Sequence, residues 1–255
     1  MRPMHDLHHS LDEWELTGRR RTHIIDAGDP SCALHRLVMP AFLAMREAAR
    51  RDGIDLQAAS SFRDFDRQLT IWNAKFRGER PLLDRSGQLL NVASLSAAQR
   101  IEAILIWSAL PGASRHHWGT DLDVYDAAAL HDRARLQLIP EEYGGAGPFA
   151  ALTAWLDQHM HRFGFFRPYV EAGRAGASIG VSPEPWHLSF APLSTLFLDQ
   201  LTPTLLSRAV QSSSIEGQEL LLSRIDELHQ QFVMQVAAPS PASLAVEFSD
   251  HGRMV

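Results

Sequence analysis

Two short stretches of the chain concentrate residue types that can do hydrolytic chemistry: Ser114-Arg115-His116-His117-Trp118-Gly119-Thr120-Asp121-Leu122-Asp123, and Glu184-Pro185-Trp186-His187. A catalytic zinc ion takes three protein ligands from His and carboxylate side chains and leaves a fourth position for water. His116, Asp123 and His187 meet that count, with His117 and Asp121 as alternative ligands beside them. Water activated in this way needs a base for its proton, and a carboxylate one hydrogen bond away can serve. Glu184, three residues before His187, is the candidate. The helical H-E-x-x-H arrangement is absent, and Pro185 points to an extended segment around His187.

For these residues to meet, particular elements must carry them. Asp123 follows His116 by seven residues, too far for one helical turn, so the spacing predicts a loop from His116 into a strand. Leu122 and Val124, alternating with Asp121, Asp123 and Tyr125, suit that strand. Upstream, residues 54–59 alternate like a second strand and run into Ser60-Ser61-Phe62-Arg63, after which Asp64 can cap a helix reaching Phe76. Arg63 then stands at a strand-to-helix junction. Further helices are predicted over 37–51, 95–109 and 148–163, the last stopped by Gly164, and a C-terminal helix is marked by Leu221, Ile225, Leu228 and Phe232. The stretch 78–92 reads as loop. Residues 171–183, rich in Gly, Ala and Ser, read as a mobile wall or lid leading into Glu184, and the tail after Ala238 reads as frayed.

Composition narrows the classes of function. At 255 residues and 45% hydrophobic, the chain can bury a sizeable core. Its formal charge of −6 gives no basic excess for a nucleic-acid backbone, and Arg19-Arg20-Arg21 sits among Asp12, Glu13 and Glu15 as a solvated stretch. Cys32 is the sole cysteine, which excludes an intramolecular disulfide and a Cys-rich zinc site. No apolar run approaches the ~20 residues of a membrane span, and residues 1–21 lack the apolar region of a signal peptide, so the chain as written is expected to be cytoplasmic. A serine hydrolase built on Ser114 would lack G-x-S-x-G and leave His116 and Glu184 without a role. The Gly-rich segments at 144–147 and 173–180 lack the GK[ST] ending of a phosphate loop.

Ser114, His116, Gly119 and Asp123 reproduce the S-x-H-x-x-G-x-x-x-D pattern of the zinc D-alanyl-D-alanine carboxypeptidases that include the VanY-type enzymes, the LAS-type metallopeptidases. Glu184-Pro185-Trp186-His187 resembles that family's E-x-W-H segment, and Ser60-Ser61-Phe62-Arg63 with Gln68 resembles its S-G-Y-R-x-x-x-x-Q element. The resemblance spans about residues 54 to 192. It implies an α+β fold in which a small antiparallel sheet, flanked by helices, carries the zinc site, with a helical C-terminal extension. It also implies one Zn2+ held by His116, Asp123 and His187, with Glu184 as base. Arg63 would grip the substrate's terminal carboxylate, supported by Gln68 and Ser114, a role that suits a guanidinium fork. Asp121 departs from the small residue usual at its position; template and strand alternation together select Asp123 over Asp121 and His116 over His117.

The expected division is an N-terminal extension over 1–35, a catalytic domain over 36–193, a helical extension over 194–238 and a flexible tail over 239–255. The implied substrates are peptidoglycan stem peptides or muropeptides that lose a C-terminal D-alanine. Cytoplasmic placement favours L,D-cleavage of recycled tetrapeptides to tripeptides; the alternative is D,D-cleavage at D-Ala-D-Ala termini. A reading of another class, a non-catalytic wall-peptide-binding module, would be marked by loss of the base or a ligand, and all four residues are present.

Overall fold

The computed structural model describes residues 10–130, 136–171 and 180–245. The predicted lid therefore falls mostly, at 172–179, outside the described residues, as does the end of the tail from 246. In chain order the first elements are α1 (Glu13–Leu16), β1 (Ile24–Ala27), β2 (Cys32–His35), α2 (Met39–Arg51), β3 (Leu56–Ser60), α3 (Phe65–Phe76) and α4 (Ala97–Trp107). A 3-10 turn (Arg115–Trp118) then leads into β4 (Asp121–Asp126), followed by α5 (Pro140–Tyr143) and α6 (Ala150–His159). The remainder is β5 (Phe165–Phe166), β6 (His187–Phe190), α7 (Ala191–Gln200), α8 (Pro203–Gln211), α9 (Gln218–Ser223), α10 (Ile225–Leu228) and α11 (Pro241–Leu244).

Local chemistry sets several of these boundaries. The Asp64 carboxylate accepts from the Arg67 N–H at 2.7 Å and starts α3 immediately after Arg63. Ser96 and Gln99 form a reciprocal capping box at the start of α4. A further 3-10 turn continues α6 to Phe163, where Gly164 adopts φ +80° and ends it. Gly119 is required by its surroundings: at φ +65° it reverses the chain into β4, and a Cβ there would lie 2.3 Å from Ile24 Cδ1.

Two antiparallel sheets form among the described residues. β1 pairs with β2, a hairpin for which the sequence reading supplied no expectation. The second sheet has the order β3-β4-β6-β5, with Asp123 opposite both Ser60 on β3 and His187 on β6. This register places the end of β3, from which the chain runs on to Arg63, beside the Asp123 strand and the His187 strand. The fold class is mixed helix and antiparallel sheet. One apolar cluster joins Leu16 and Leu34 from the N-terminal elements, Phe42 and Met45 from α2, Leu56 and Leu122 from the sheet, and Phe197, Leu206 and Leu221 from the C-terminal helices. The division expected at residue 193 falls within α7.

The predicted C-terminal helix is not continuous. Arg224 (φ −120°) separates α9 from α10, and a π-turn over His229–Val233 follows. Leu221, Ile225, Leu228 and Phe232 are all buried, so their spacing reported a shared apolar face rather than an unbroken helix. No helix among the described residues is long and apolar enough to cross a membrane.

Candidate active site

Arg63, Ser114, His116, Asp123, Glu184 and His187 line one cavity of about 800 Å³. Gln68 lies behind Arg63 and accepts from its Nη1 at 2.8 Å, while Ser60 Oγ accepts from Nη2 at 3.1 Å. Gln68 is itself fixed by donating to the Ala109 carbonyl at 2.7 Å. The guanidinium is thus held in one orientation at the cavity wall, as a bidentate carboxylate reader requires.

Three donor atoms converge. One ligand atom each from His116, Asp123 and His187 lies within 4.8 Å of the others. His116 Nδ1 is 2.9 Å from the Ser61 carbonyl, an acceptor that fixes the proton on Nδ1 and leaves the Nε2 lone pair facing Asp123 Oδ2 at 3.5 Å. His187 has the opposite arrangement: Nε2 faces Asp121 Oδ1 at 3.0 Å, and Nδ1 faces Asp123 Oδ1 at 3.1 Å and Glu184 Oε2 at 3.3 Å. Ligands 2.0–2.1 Å from a tetrahedral ion are spaced by roughly 3.3 Å. The His116–Asp123 and His187–Asp123 separations of 3.5 and 3.1 Å lie close to that spacing.

Two further observations test that fit. Asp123 Oδ1 is buried and receives no hydrogen bond, so it stands against Nδ1 as an oxygen awaiting a cation. Burial disfavours charge on His187, yet the facing carboxylates of Asp121, Asp123 and Glu184 outweigh this and raise its pKa well above the ordinary value. Carboxylates thus face both ring nitrogens of His187. His116, by contrast, is driven by burial down to about 3 and remains a neutral donor. Burial raises the Glu184 carboxyl, making it the better proton acceptor.

The structure separates the alternatives that the sequence left adjacent. His117 spends both ring nitrogens on the backbone: Nδ1 lies 2.6 Å from the Arg63 carbonyl and Nε2 accepts from the Gly112 N–H at 3.1 Å. It braces the Arg63 segment. A 3-10 turn advances about 120° per residue, so His116, His117 and Trp118 leave it in three directions. Trp118 enters the core, donating to the Leu16 carbonyl and meeting Phe197 edge-on. Trp186 does line the cavity. Burial pushes the Cys32 thiol up to about 11, which leaves it inert.

Comparison with known proteins bears on this arrangement. The family model for VanY, described as D-alanyl-D-alanine carboxypeptidase, matches residues 31–193, more than half of the chain. The chain belongs to the VanY family. As a VanY-family peptidase it is a hydrolase. It is similar to an uncharacterised Haemophilus influenzae protein, 33% identical over 125 residues covering 49% of this chain and 93% of that protein. It is also similar to an Enterococcus faecalis protein named D-alanyl-D-alanine carboxypeptidase, 28% identical over 153 residues, or 60% of this chain and 46% of that one. Among solved structures it resembles VanYB in complex with D-alanine-D-alanine, with a TM-score of 0.47 and 22% identity over 74% of this chain and 89% of that chain.

Several residues of this VanY-family site carried no recognised signal in the sequence. The Ser61 carbonyl orients His116, and no side-chain pattern reports a backbone acceptor. Tyr169 packs its ring 5.0 Å from that of His187 and lines the cavity, but lies in no motif. Arg115 and Asp121 stood within the motif, where alternation along β4 was the available signal for Asp121.

Proposed function

We propose that the chain is a zinc-dependent carboxypeptidase that releases the C-terminal D-alanine of peptidoglycan stem peptides, with the L,D bond of a tetrapeptide as its substrate. The observation that carries the reading is the meeting of His116 Nε2, Asp123 and His187 Nδ1, with Glu184 3.3 Å from the last, in the cavity that also holds Arg63. His116, Asp123 and His187 would hold one zinc ion. When bound, zinc supplies Lewis-acid polarisation of a carbonyl and lowers the pKa of a water molecule.

The remaining work falls to this chain's own residues. Arg63, locked by Ser60 and Gln68, pairs with the substrate's terminal carboxylate and sets which peptide bond reaches the metal side of the cavity. Ser114, buried on the same wall, supports that end of the substrate. Glu184 takes a proton from water on a carboxylate oxygen and returns one to the leaving D-alanine amine. Trp186 and Tyr169 narrow the water-accessible space around His187. In this reading residues 36–193 form the catalytic unit, and the helical extension closes the cavity with Leu206, Leu228, Phe232 and Val233.

A second reading, cleavage of the D,D bond of a pentapeptide, is favoured by the family's description and by the name of the Enterococcus faecalis relative. Glu184→Gln tests the assignment common to both. The variant is expected to bind zinc as the parent does and to lose about 10²- to 10⁴-fold in kcat, the range for removing a general base. Near-parental turnover would remove Glu184 from its role.

A further inference from the structure

We propose that Asp121 is a positioning residue that holds His187 with Nδ1 turned toward the metal, and that Arg115 is the buried countercharge allowing a carboxylate to occupy that place. The inference rests on the zinc reading above and deepens it. It starts from a second buried carboxylate, Asp121, two residues before Asp123 on the same strand.

The β4–β6 register explains the geometry. Asp121 is opposite Ser189 and Asp123 is opposite His187, so both aspartates share one face of β4 and Asp121 reaches His187 on the diagonal. Its Oδ1 lies 3.0 Å from His187 Nε2 and accepts from Arg115 Nε at 2.8 Å, while Oδ2 accepts from Thr120 Oγ1 at 2.5 Å. No part of Asp121 is exposed, so it cannot itself meet substrate. Arg115, also buried, donates through Nη2 to Ser189 Oγ, which donates to Ser194 Oγ, and its guanidinium lies 5.0 Å from the centre of the Trp118 ring.

An imidazole that donates Nε2–H to a carboxylate presents Nδ1 as its lone pair and is a more basic ligand; loss of such an orienting partner costs metal affinity about ten- to a hundredfold. The two histidines are therefore oriented by acceptors of different charge: a neutral carbonyl for His116 and an ionised carboxylate for His187. A lone carboxylate here would be buried without compensation, and Arg115 supplies the opposite charge directly.

The test compares the parent with Arg115→Met and with Arg115→Met/Asp121→Asn, in which the charge pair becomes a neutral pair of similar shape. Zinc dissociation constants come from competition with a chromogenic chelator, and thermal midpoints from the metal-free proteins. The expected result is a double variant whose midpoint recovers relative to Arg115→Met while its zinc affinity stays at least tenfold below the parent. Recovery of both midpoint and zinc affinity would overturn the proposal and leave the pair a purely structural role. A measurement independent of variant folding is long-range 1H–15N NMR of the zinc-loaded parent. His187 with a proton on Nε2 and metal on Nδ1 supports the proposal, and the reverse tautomer overturns it. A parent that binds no zinc removes the metal reading and this inference together, whereas tight parental binding with an unchanged double variant removes the inference alone.

Discussion

Lys75 is the only lysine in the chain. It lies seven residues beyond Gln68 on α3, on the face that carries the fully buried Gln68 and Trp72. Burial is the main influence on its ammonium; Glu184 draws the pKa up, Arg63 and Arg80 draw it down, and the outcome is a fall from 10.5 to about 8. Across that interval the unfolded chain holds a proton that the folded chain has released, so stability rises with pH from about 8 to about 10.5. Below about 8 the penalty is complete, and at 1.36 kcal/mol per pKa unit it reaches about 3 kcal/mol. Lys75→Met keeps an apolar stem and removes the charge. It is expected to raise the unfolding free energy at pH 7 by up to about 3 kcal/mol and to flatten its rise above pH 8. Denaturant unfolding at a series of pH values measures both effects. Because the lysine is unique, NMR of protein labelled only in lysine gives one side-chain signal whose midpoint is the pKa itself. A midpoint near 10.5, or a Met variant no more stable at pH 7, would refute this account of the α3 face.

Other consequences follow from particular contacts. Gly119→Ala would place a methyl 2.3 Å from Ile24 Cδ1 and 2.7 Å from the His35 nitrogen at φ +65°, so a loss of at least about 2 kcal/mol is expected in denaturant unfolding. His116→Ala is expected to abolish stoichiometric zinc by elemental analysis. His117→Gln is expected to retain zinc while losing about 1–3 kcal/mol of stability, since the Gly112 N–H and Arg63 carbonyl lose well-placed partners. Equal zinc loss in the two variants would contradict the separation of these neighbours.

Much of the site's scaffold was legible because its signals are local. Asp64 as a cap put Arg63 at the mouth of α3, and alternation from Asp121 to Tyr125 gave β4. Alternation, offered with the template as selecting Asp123 over Asp121, could not make that choice, because residues two apart on a strand share a face. What separates them is the β4–β6 register, which sets Asp123 opposite His187 and Asp121 one step further along, against Ser189. Register is a non-local property, and so is the pairing of β1 with β2, because the Gly28-Asp29-Pro30-Ser31 loop marks a turn but not which strands pair across it. The direction taken by Trp118 depended on a 3-10 turn that no periodicity in the sequence announced. Likewise the apolar spacing from Leu221 to Phe232 survives the break at Arg224, because burial selects a face and not backbone continuity.

The central claim is zinc-dependent removal of a terminal D-alanine, and mass spectrometry tests it most directly. Zinc-loaded protein would be incubated with a muropeptide tetrapeptide and pentapeptide together, beside a chelator-treated control, and loss of single alanines followed from each. The account predicts conversion of tetrapeptide to tripeptide that stops when zinc is removed. Conversion of pentapeptide to tetrapeptide alone would replace the L,D reading with the D,D one. Both peptides remaining intact in the presence of bound zinc would contradict the claim itself.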